Sequence, residues 1–329
     1  MSLHSPSRRR TLAALSAGAL TSSLPALASA ASAPLRIGFQ KYGTLTILKA
    51  RGTLEKRLAA TGVEVRWAEF PAGPQMLEAM NVGSIDFGTV GEAPPIFAQA
   101  ASTDFVYIAN QPAAPQAEAI VVPPGSKLSS ASELKGKRLA LNKGSNVHYL
   151  VLKALERAQV AYRDVDVVFL VPADARAAFE RGAVDAWAIW DPFLAAAQRQ
   201  LGARVLVDAT GLASNHQFFL ATRRYADANP ATIAAVVDEL VQLDAWADKH
   251  LNDVARLLAP QIGLDVPIVE LAAGRFAYGV RPISAAVASE QQKIADAFQA
   301  LKLIPSPIRV ADALPSGSLA SALQISQAN

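Results

Sequence analysis

Arg138-Leu139-Ala140-Leu141-Asn142-Lys143-Gly144-Ser145-Asn146-Val147-His148 carries the architecture in miniature. Four residues of strand character run into a polar turn with a glycine, and an amphipathic helical pattern follows over Val147–Ala158. A strand that passes through a short turn into a helix is half of a βαβ unit. The same alternation recurs on both sides. Upstream, Leu35–Phe39, Val63–Phe70, Ile85–Phe87 and Phe105–Ile108 are β-like, with helix candidates between them. Downstream, Val165–Leu170, Val184–Ala188 and Val205–Val207 continue the second set, separated by helices such as Ala173–Arg181. The order predicts an α/β protein with two parallel sheets.

Two lobes suit the length, because a chain of 329 residues with 51% hydrophobic content exceeds what one core usually holds. Ala119–Val122 and Gln217–Ala221 fall at the junctions between the two sets and read as paired crossover strands forming a hinge. Lobe one is then expected over residues 34–121 and 218–329, and lobe two over 122–217. Pro230–Leu258, Asp265–Arg275 and Ser284–Leu301 are helix-rich, start at caps or prolines, and should pack back on the first lobe.

The N-terminus has a separate character. Arg8-Arg9-Arg10-Thr11-Leu12 opens an apolar stretch to Leu27 that ends in Ala28-Ser29-Ala30, which reads as an export signal over residues 1–30. The paired arginines fit a twin-arginine signal, with general secretion as the alternative, and the mature chain begins at Ala31 or Pro34. Removing Arg8, Arg9 and Arg10 turns the 31 basic residues into 28 against 28 acidic ones, so the mature chain has no nucleic-acid footprint. The absence of cysteine excludes disulfides, a lipoprotein anchor and thiol nucleophiles. After the signal, no apolar run approaches the roughly 20 residues of a membrane span. A soluble periplasmic monomer is expected.

In open α/β sheets, ligands sit beyond the carboxyl ends of the strands, where helix N-termini present backbone N–H groups. Three turns qualify: Gly88–Pro95, Asn142–His148 and Ile189–Pro192. In the first, Gly91 permits close backbone approach and Glu92 or Ala93 suits a cap before Pro94. In the second, Ser145 and Asn146 bring a hydroxyl, an amide and backbone donors to a helix start that favours an anion, although either residue also suits a plain N-cap. In the third, Trp190 offers an apolar wall or a core residue, and Asp191 before Pro192 is an ordinary capping pattern. His148 and His216 read first as structural histidines, and their surroundings argue against a metal site. With the amide of Gln40, these groups suit an acceptor-only anion, each charge-assisted hydrogen bond contributing about 1.5–3 kcal/mol. Sulfonate, nitrate, sulfate and carboxylate all satisfy that requirement.

Longer runs carry more specific information. Glu69-Phe70-Pro71-Ala72-Gly73-Pro74-Gln75-Met76-Leu77-Glu78-Ala79, Asn81-Val82-Gly83-Ser84-Ile85-Asp86, Pro94-Pro95-Ile96-Phe97-Ala98-Gln99-Ala100-Ala101, Pro172-Ala173-Asp174-Ala175-Arg176-Ala177-Ala178-Phe179 and Val184-Asp185-Ala186-Trp187-Ala188-Ile189-Trp190-Asp191-Pro192, with Gln40-Lys41, closely resemble the aliphatic sulfonate-binding members of the sulfonate, nitrate and taurine receptor family. The resemblance covers essentially all of the mature chain. It implies a type II periplasmic-binding-protein fold, closing on a sulfonate between two α/β lobes joined by hinge strands, with an ABC permease and ATPase as partners and membrane contact only through the permease. It implies no cofactor and no metal. Carried over by position, Gln40, Gly91, Glu92, Ser145, Asn146, His148, Trp190 and Asp191 would face the cleft. The family often has a hydroxyl residue just before the first turn's glycine, where this chain has Val90, with Thr89 one position earlier. Taurine or nitrate is the rival ligand. Enzymatic relatives on the fold would use a cysteine or clustered histidines, and this chain has no cysteine and only four histidines.

Overall fold

Two five-stranded sheets, each flanked by helices, organise the computed structural model, which describes residues 33–328. The expected export signal, residues 1–30, and the cleavage point before Ala31 lie outside those residues. The first sheet contains β1 (Leu35–Phe39), β2 (Val65–Glu69), β3 (Phe87–Gly91), β4 (Phe105–Asn110) and β10 (Gln217–Thr222), in the order β2-β1-β3-β10-β4. The second contains β5 (Glu118–Val122), β6 (Arg138–Leu141), β7 (Asp166–Phe169), β8 (Ala186–Trp190) and β9 (Arg204–Asp208), in the order β7-β6-β8-β5-β9.

The sheets are mixed, whereas the alternating pattern predicts parallel ones. β10 runs antiparallel to β3 and β4, and β5 runs antiparallel to β8 and β9. Short crossovers cause this. β4 ends at the same end of its sheet as β3, to which it runs parallel across the intervening β10. Residues 111–117 then deliver the chain to the facing end of the other sheet, so β5 must run back against β8. The return through residues 209–216 imposes the same reversal on β10. β5 and β10 therefore do not pair with each other, as the sequence suggested. The pairing belongs to the crossovers: Gln111 N donates to Gln217 O at 2.8 Å, Ala114 N to Ser214 O at 3.0 Å, and Asn215 Nδ2 to Ala114 O at 2.9 Å.

Helices cover both faces. In the first lobe they are α1 (Thr44–Arg51), α2 (Thr53–Ala59), α3 (Gly73–Asn81) and α4 (Pro94–Ala100); in the second, α5 (Asn146–Arg157), α6 (Pro172–Glu180) and α7 (Phe193–Leu201). The remainder follows β10 as α8 (Arg223–Ala228), α9 (Pro230–Ala247), α10 (Leu251–Ile262), α11 (Val266–Ala273), α12 (Ala285–Ala300) and α13 (Gly317–Ala328). α9 buries Val236, Val237 and Leu240 against Ile37, Phe87 and Phe219 of the first sheet. The second sheet is packed on one face by Leu150 and Val151 of α5 and on the other by Phe179 around Trp187. The lobes meet at two apolar patches: Tyr149 and Leu152 of α5 with Ile96 and Phe298, and Ala195 and Ala196 of α7 with Ile268 and Ala272. No helix among the described residues is long and apolar enough to cross a membrane.

One local device appears in both lobes. Arg36 N donates to Asp86 Oδ2 at 3.0 Å and Asp86 N to Arg36 O at 2.7 Å; Arg138 N donates to Asp185 Oδ2 at 2.8 Å and Asp185 N to Arg138 O at 2.8 Å. Each arginine side chain also donates to the carbonyl of a turn residue, Gly83 or Ala183. The aspartate side chain thus accepts from an N–H at the start of the neighbouring strand, the second of β1 and the first of β6, that would otherwise lack a partner. Ladder pairing begins just after it, which is why β3 and β8 start two residues later than their apolar runs suggest.

Trp187 is 1% exposed at the centre of the second lobe. Trp187→Ala should lower that lobe's unfolding free energy by about 3–5 kcal/mol in denaturant titration.

Candidate functional site

The carboxyl ends of β1, β2, β3, β6, β7 and β8 all open into one cavity of about 380 Å³ between the lobes. The first lobe supplies Gln40 to Thr44 from the turn into α1, Phe70 and Pro71 from the turn into α3, and Thr89, Gly91 and Pro94 from the turn into α4. The second supplies Ser145 and Asn146, Val171 to Ala173, and Trp190 to Phe193. Gln111, Asn215 and Gln217 come from the crossovers and their edges, and Phe276 from the loop after α11.

Of the eight residues singled out in the sequence, Gln40, Gly91, Ser145, Asn146, Trp190 and Asp191 line this cavity, and Glu92 and His148 do not. The Glu92 side chain is buried and accepts from His216 N at 3.1 Å, while its carbonyl accepts from Gln291 Nε2 at 2.6 Å. β3 extends through Gly91, so Glu92 follows on the strand's other face and is carried under the cavity wall. His148 sits one turn into α5, fully buried between Phe97 and Phe298. Gly144 N–H donates to His148 Nδ1 at 3.2 Å, which leaves Nε2 to donate to the Tyr162 hydroxyl at 2.9 Å. Burial and then nearby Lys143 push its pKa down to about 4, so the ring is neutral and structural. Alternation along β3 also resolves the departure at Val90, whose side chain enters the core while Thr89 lines the cavity.

Asn146 has a different role from the free donor that the sequence suggests. Its Oδ1 accepts from Ala93 N at 3.2 Å, and its Nδ2 donates to Asn215 Oδ1 at 2.6 Å. One carboxamide therefore joins the start of α4, the start of α5 and a crossover. Gly91 makes this possible, because a Cβ there would lie 2.1 Å from the Asn146 amide atoms. Ser145 caps nothing with its side chain; its hydroxyl donates to Asn142 O at 2.7 Å. The backbone N–H groups of Asn146 and Val147 have no acceptor among the described residues, and neither does the N–H of Thr44 at the start of α1. Of these three residues Asn146 and Thr44 line the cavity, at helix ends whose dipoles favour negative charge. Gln40 adds an amide whose Nε2 donates to Thr89 O at 3.2 Å.

Aromatic side chains from both lobes also line the cavity: Tyr42, Phe70 and Phe276 from the first and Trp190 and Phe193 from the second. Charge is sparse. Lys41 and Glu69 are half-exposed and 3.9 Å apart. Asp191 is buried and accepts from Ala195 N at 2.9 Å, so it does bond the first turn of α7, but from one residue before the N-cap, which is Pro192 and not Asp191 as anticipated. Burial raises its pKa to about 7 against the opposing effect of Arg275, 3.4 Å away. Gln111, missed in the sequence, donates to Thr44 Oγ1 at 2.7 Å and to Asp244 Oδ2 at 2.6 Å, so it anchors α1 and α9 beneath the cavity. Its signal was weak: a single polar residue just past an apolar strand.

Strand ends from two lobes closing on neutral donors and aromatic side chains define a two-lobed ligand-binding protein. The comparisons agree. Residues 28–260 match the NMT1-like family. The aliphatic sulfonates-binding protein of Escherichia coli (strain K12) is 43% identical over 297 residues, which is 89% of this chain and 92% of that one. The crystal structure of the periplasmic aliphatic sulphonate binding protein SsuA from Escherichia coli superposes with a TM-score of 0.78 at 42% identity, over 87% of this chain and 92% of that one. The alkanesulfonate-binding protein SsuA from Xanthomonas axonopodis pv. citri, bound to MOPS, gives a TM-score of 0.83 at 42% identity, over 86% of this chain and 98% of that one. The chain belongs to the NMT1-like family and, within this fold, to the aliphatic sulfonates-binding proteins. The relatives are binding proteins, and the two-lobed α/β fold is theirs.

Burial raises the Glu92 pKa to about 7 from 4.5. The folded state then holds that proton more tightly than the unfolded chain, so its contribution to stability falls as pH rises from about 4.5 to about 7. Glu92→Gln should flatten the decline of melting temperature across that window, while keeping an acceptor for His216 N.

Proposed function

We propose that this protein is the periplasmic receptor of an ABC importer and that it captures aliphatic sulfonates, which it passes as a monomer to the importer's permease and ATPase. The observation that carries the reading is that one cavity is lined both by Asn146 and Thr44, whose backbone N–H groups at the starts of α5 and α1 are unpaired among the described residues, and by aromatic side chains from both lobes. A sulfonate is charged at every biological pH and only accepts hydrogen bonds. Fixed amide dipoles hold such a group without a counter-charge or a proton transfer. Its alkyl tail finds Trp190, Phe193 and Phe276, where burial contributes about 0.8 kcal/mol per methylene. The family relationship supports the same substrate class, and the importer partnership and periplasmic location follow from it by kinship.

Within this reading, Gln40, Gly91, Ser145, Asn146 and Trp190 form the binding site, Asp191 borders it, and Glu92 and His148 support it from behind. The lobes close on the ligand, so occupancy stabilises the closed form by mass action. Calorimetric titration with alkanesulfonates of increasing chain length should give binding that strengthens with each added methylene until the cavity is filled. The melting temperature should climb with ligand concentration. Nitrate or sulfate binding in place of every alkanesulfonate would overturn the assignment.

Gly91→Ala provides an independent check. Its Cβ displaces the Asn146 amide, so affinity for an alkanesulfonate should fall about tenfold or more, the equivalent of one or two lost hydrogen bonds.

A further inference from the structure

Asp191 is the one buried charged side chain among the described residues lining the cavity; the other two, Lys41 and Glu69, are half-exposed and face each other. A buried carboxylate beside an anion-binding pocket is the group that a cationic amine on the ligand would seek. Here it is occupied from outside. Arg275, in the turn after α11 on the first lobe, extends across to the second: its NH1 lies 3.4 Å from Asp191 Oδ2 and 3.5 Å from Oδ1, and its NH2 donates to Gln198 Oε1 of α7 at 2.6 Å. Asp191 Oδ1 also accepts from Ala195 N. Both carboxylate oxygens thus have donors on the protein side. The next residue, Phe276, is in the cavity wall, so Arg275 lies immediately behind the surface the ligand tail meets.

We propose that Arg275 is a specificity-determining residue: by pairing with Asp191 from behind the wall, it denies that carboxylate to an ammonium group and selects sulfonates without a cationic amine over aminoalkanesulfonates. The inference rests on the sulfonate reading above. Two effects act together. The pairing uses the charge an ammonium would need, and the guanidinium repels a second cation placed against the same carboxylate in a poorly solvated site. An alkyl terminus in the same place meets neither cost. Gln198 holds the guanidinium in this position from the second lobe, so the pairing exists when the lobes are together.

Taurine and 1-propanesulfonate test this directly, because they match in size and differ in the terminal ammonium or methyl group. Calorimetry on the wild type should give tighter binding of propanesulfonate. In Arg275→Gln and Arg275→Met the ratio of the two affinities should move toward taurine by about tenfold or more, the worth of one charge-assisted contact. Adding Asp191→Asn to Arg275→Gln should abolish the movement. An unmoved ratio, or a parallel loss of both ligands in the arginine variants, would show that Arg275 only braces the lobes and would overturn the inference. Equal binding of taurine and propanesulfonate by the wild type would overturn it without any variant having to fold. A wild type that binds neither removes the sulfonate reading itself, a result distinct from an unmoved ratio.

Discussion

The carboxamide of Asn146 is the contact on which the arrangement of the site depends. It is the first residue of α5, yet it accepts from the start of α4 in the other lobe and donates to Asn215 in a crossover. Three segments far apart in sequence are thereby fixed at hydrogen-bonding distance in a buried place, where leaving any of those groups unpaired costs about 1–3 kcal/mol. Gly91 exists to let that amide in. With that carboxamide engaged on both sides, the backbone N–H of Asn146 itself stays unpaired among the described residues at the edge of the cavity.

That arrangement explains why the site needs so little charge. A pocket that neutralised an anion with arginine or lysine would have to keep those cations buried when empty, at a large desolvation cost. Backbone amides at helix ends carry their partial charge as part of the fold, and no extra ion has to be desolvated. The layer beneath keeps them in place. Gln111, Thr44 and Asp244 form a closed set of hydrogen bonds under α1, with Gly279 N as a further donor to Asp244 at 2.8 Å. The same economy applies to Asp191, whose carboxylate bonds the first turn of α7 and meets its counter-charge away from the ligand space.

Much of this was legible in the residues, because the strands and most helices follow from apolar periodicity and from caps such as Ser284, which accepts from Val287 N. The turn into α5 was identifiable because a glycine, a serine and an asparagine between a strand and a helix have few other uses. What could not be read was direction and partnership. Nothing local to Glu118–Val122 or Gln217–Thr222 says that each runs against its neighbours; that follows from the shortness of the crossovers, a three-dimensional fact. Glu92 and His148 were misplaced for a related reason. Both are one or two residues from groups that line the cavity, and a single step along a strand or a helix turns a side chain from the ligand space into the wall. Arg275 was invisible because its partner lies 84 positions away.

The position of β10 bears on how the chain comes to be made. It lies between β3 and β4, so the earlier-synthesised half of the molecule has a gap at the middle of its sheet until residue 222 exists. The second sheet, by contrast, is drawn from one unbroken stretch, residues 118–208, and can complete its ladder first. Assembly order thus departs from reading order: the sheet encoded in the middle of the chain has all its strands before the sheet that begins at the amino terminus receives β10. Contacts of such long sequence separation are slow to form.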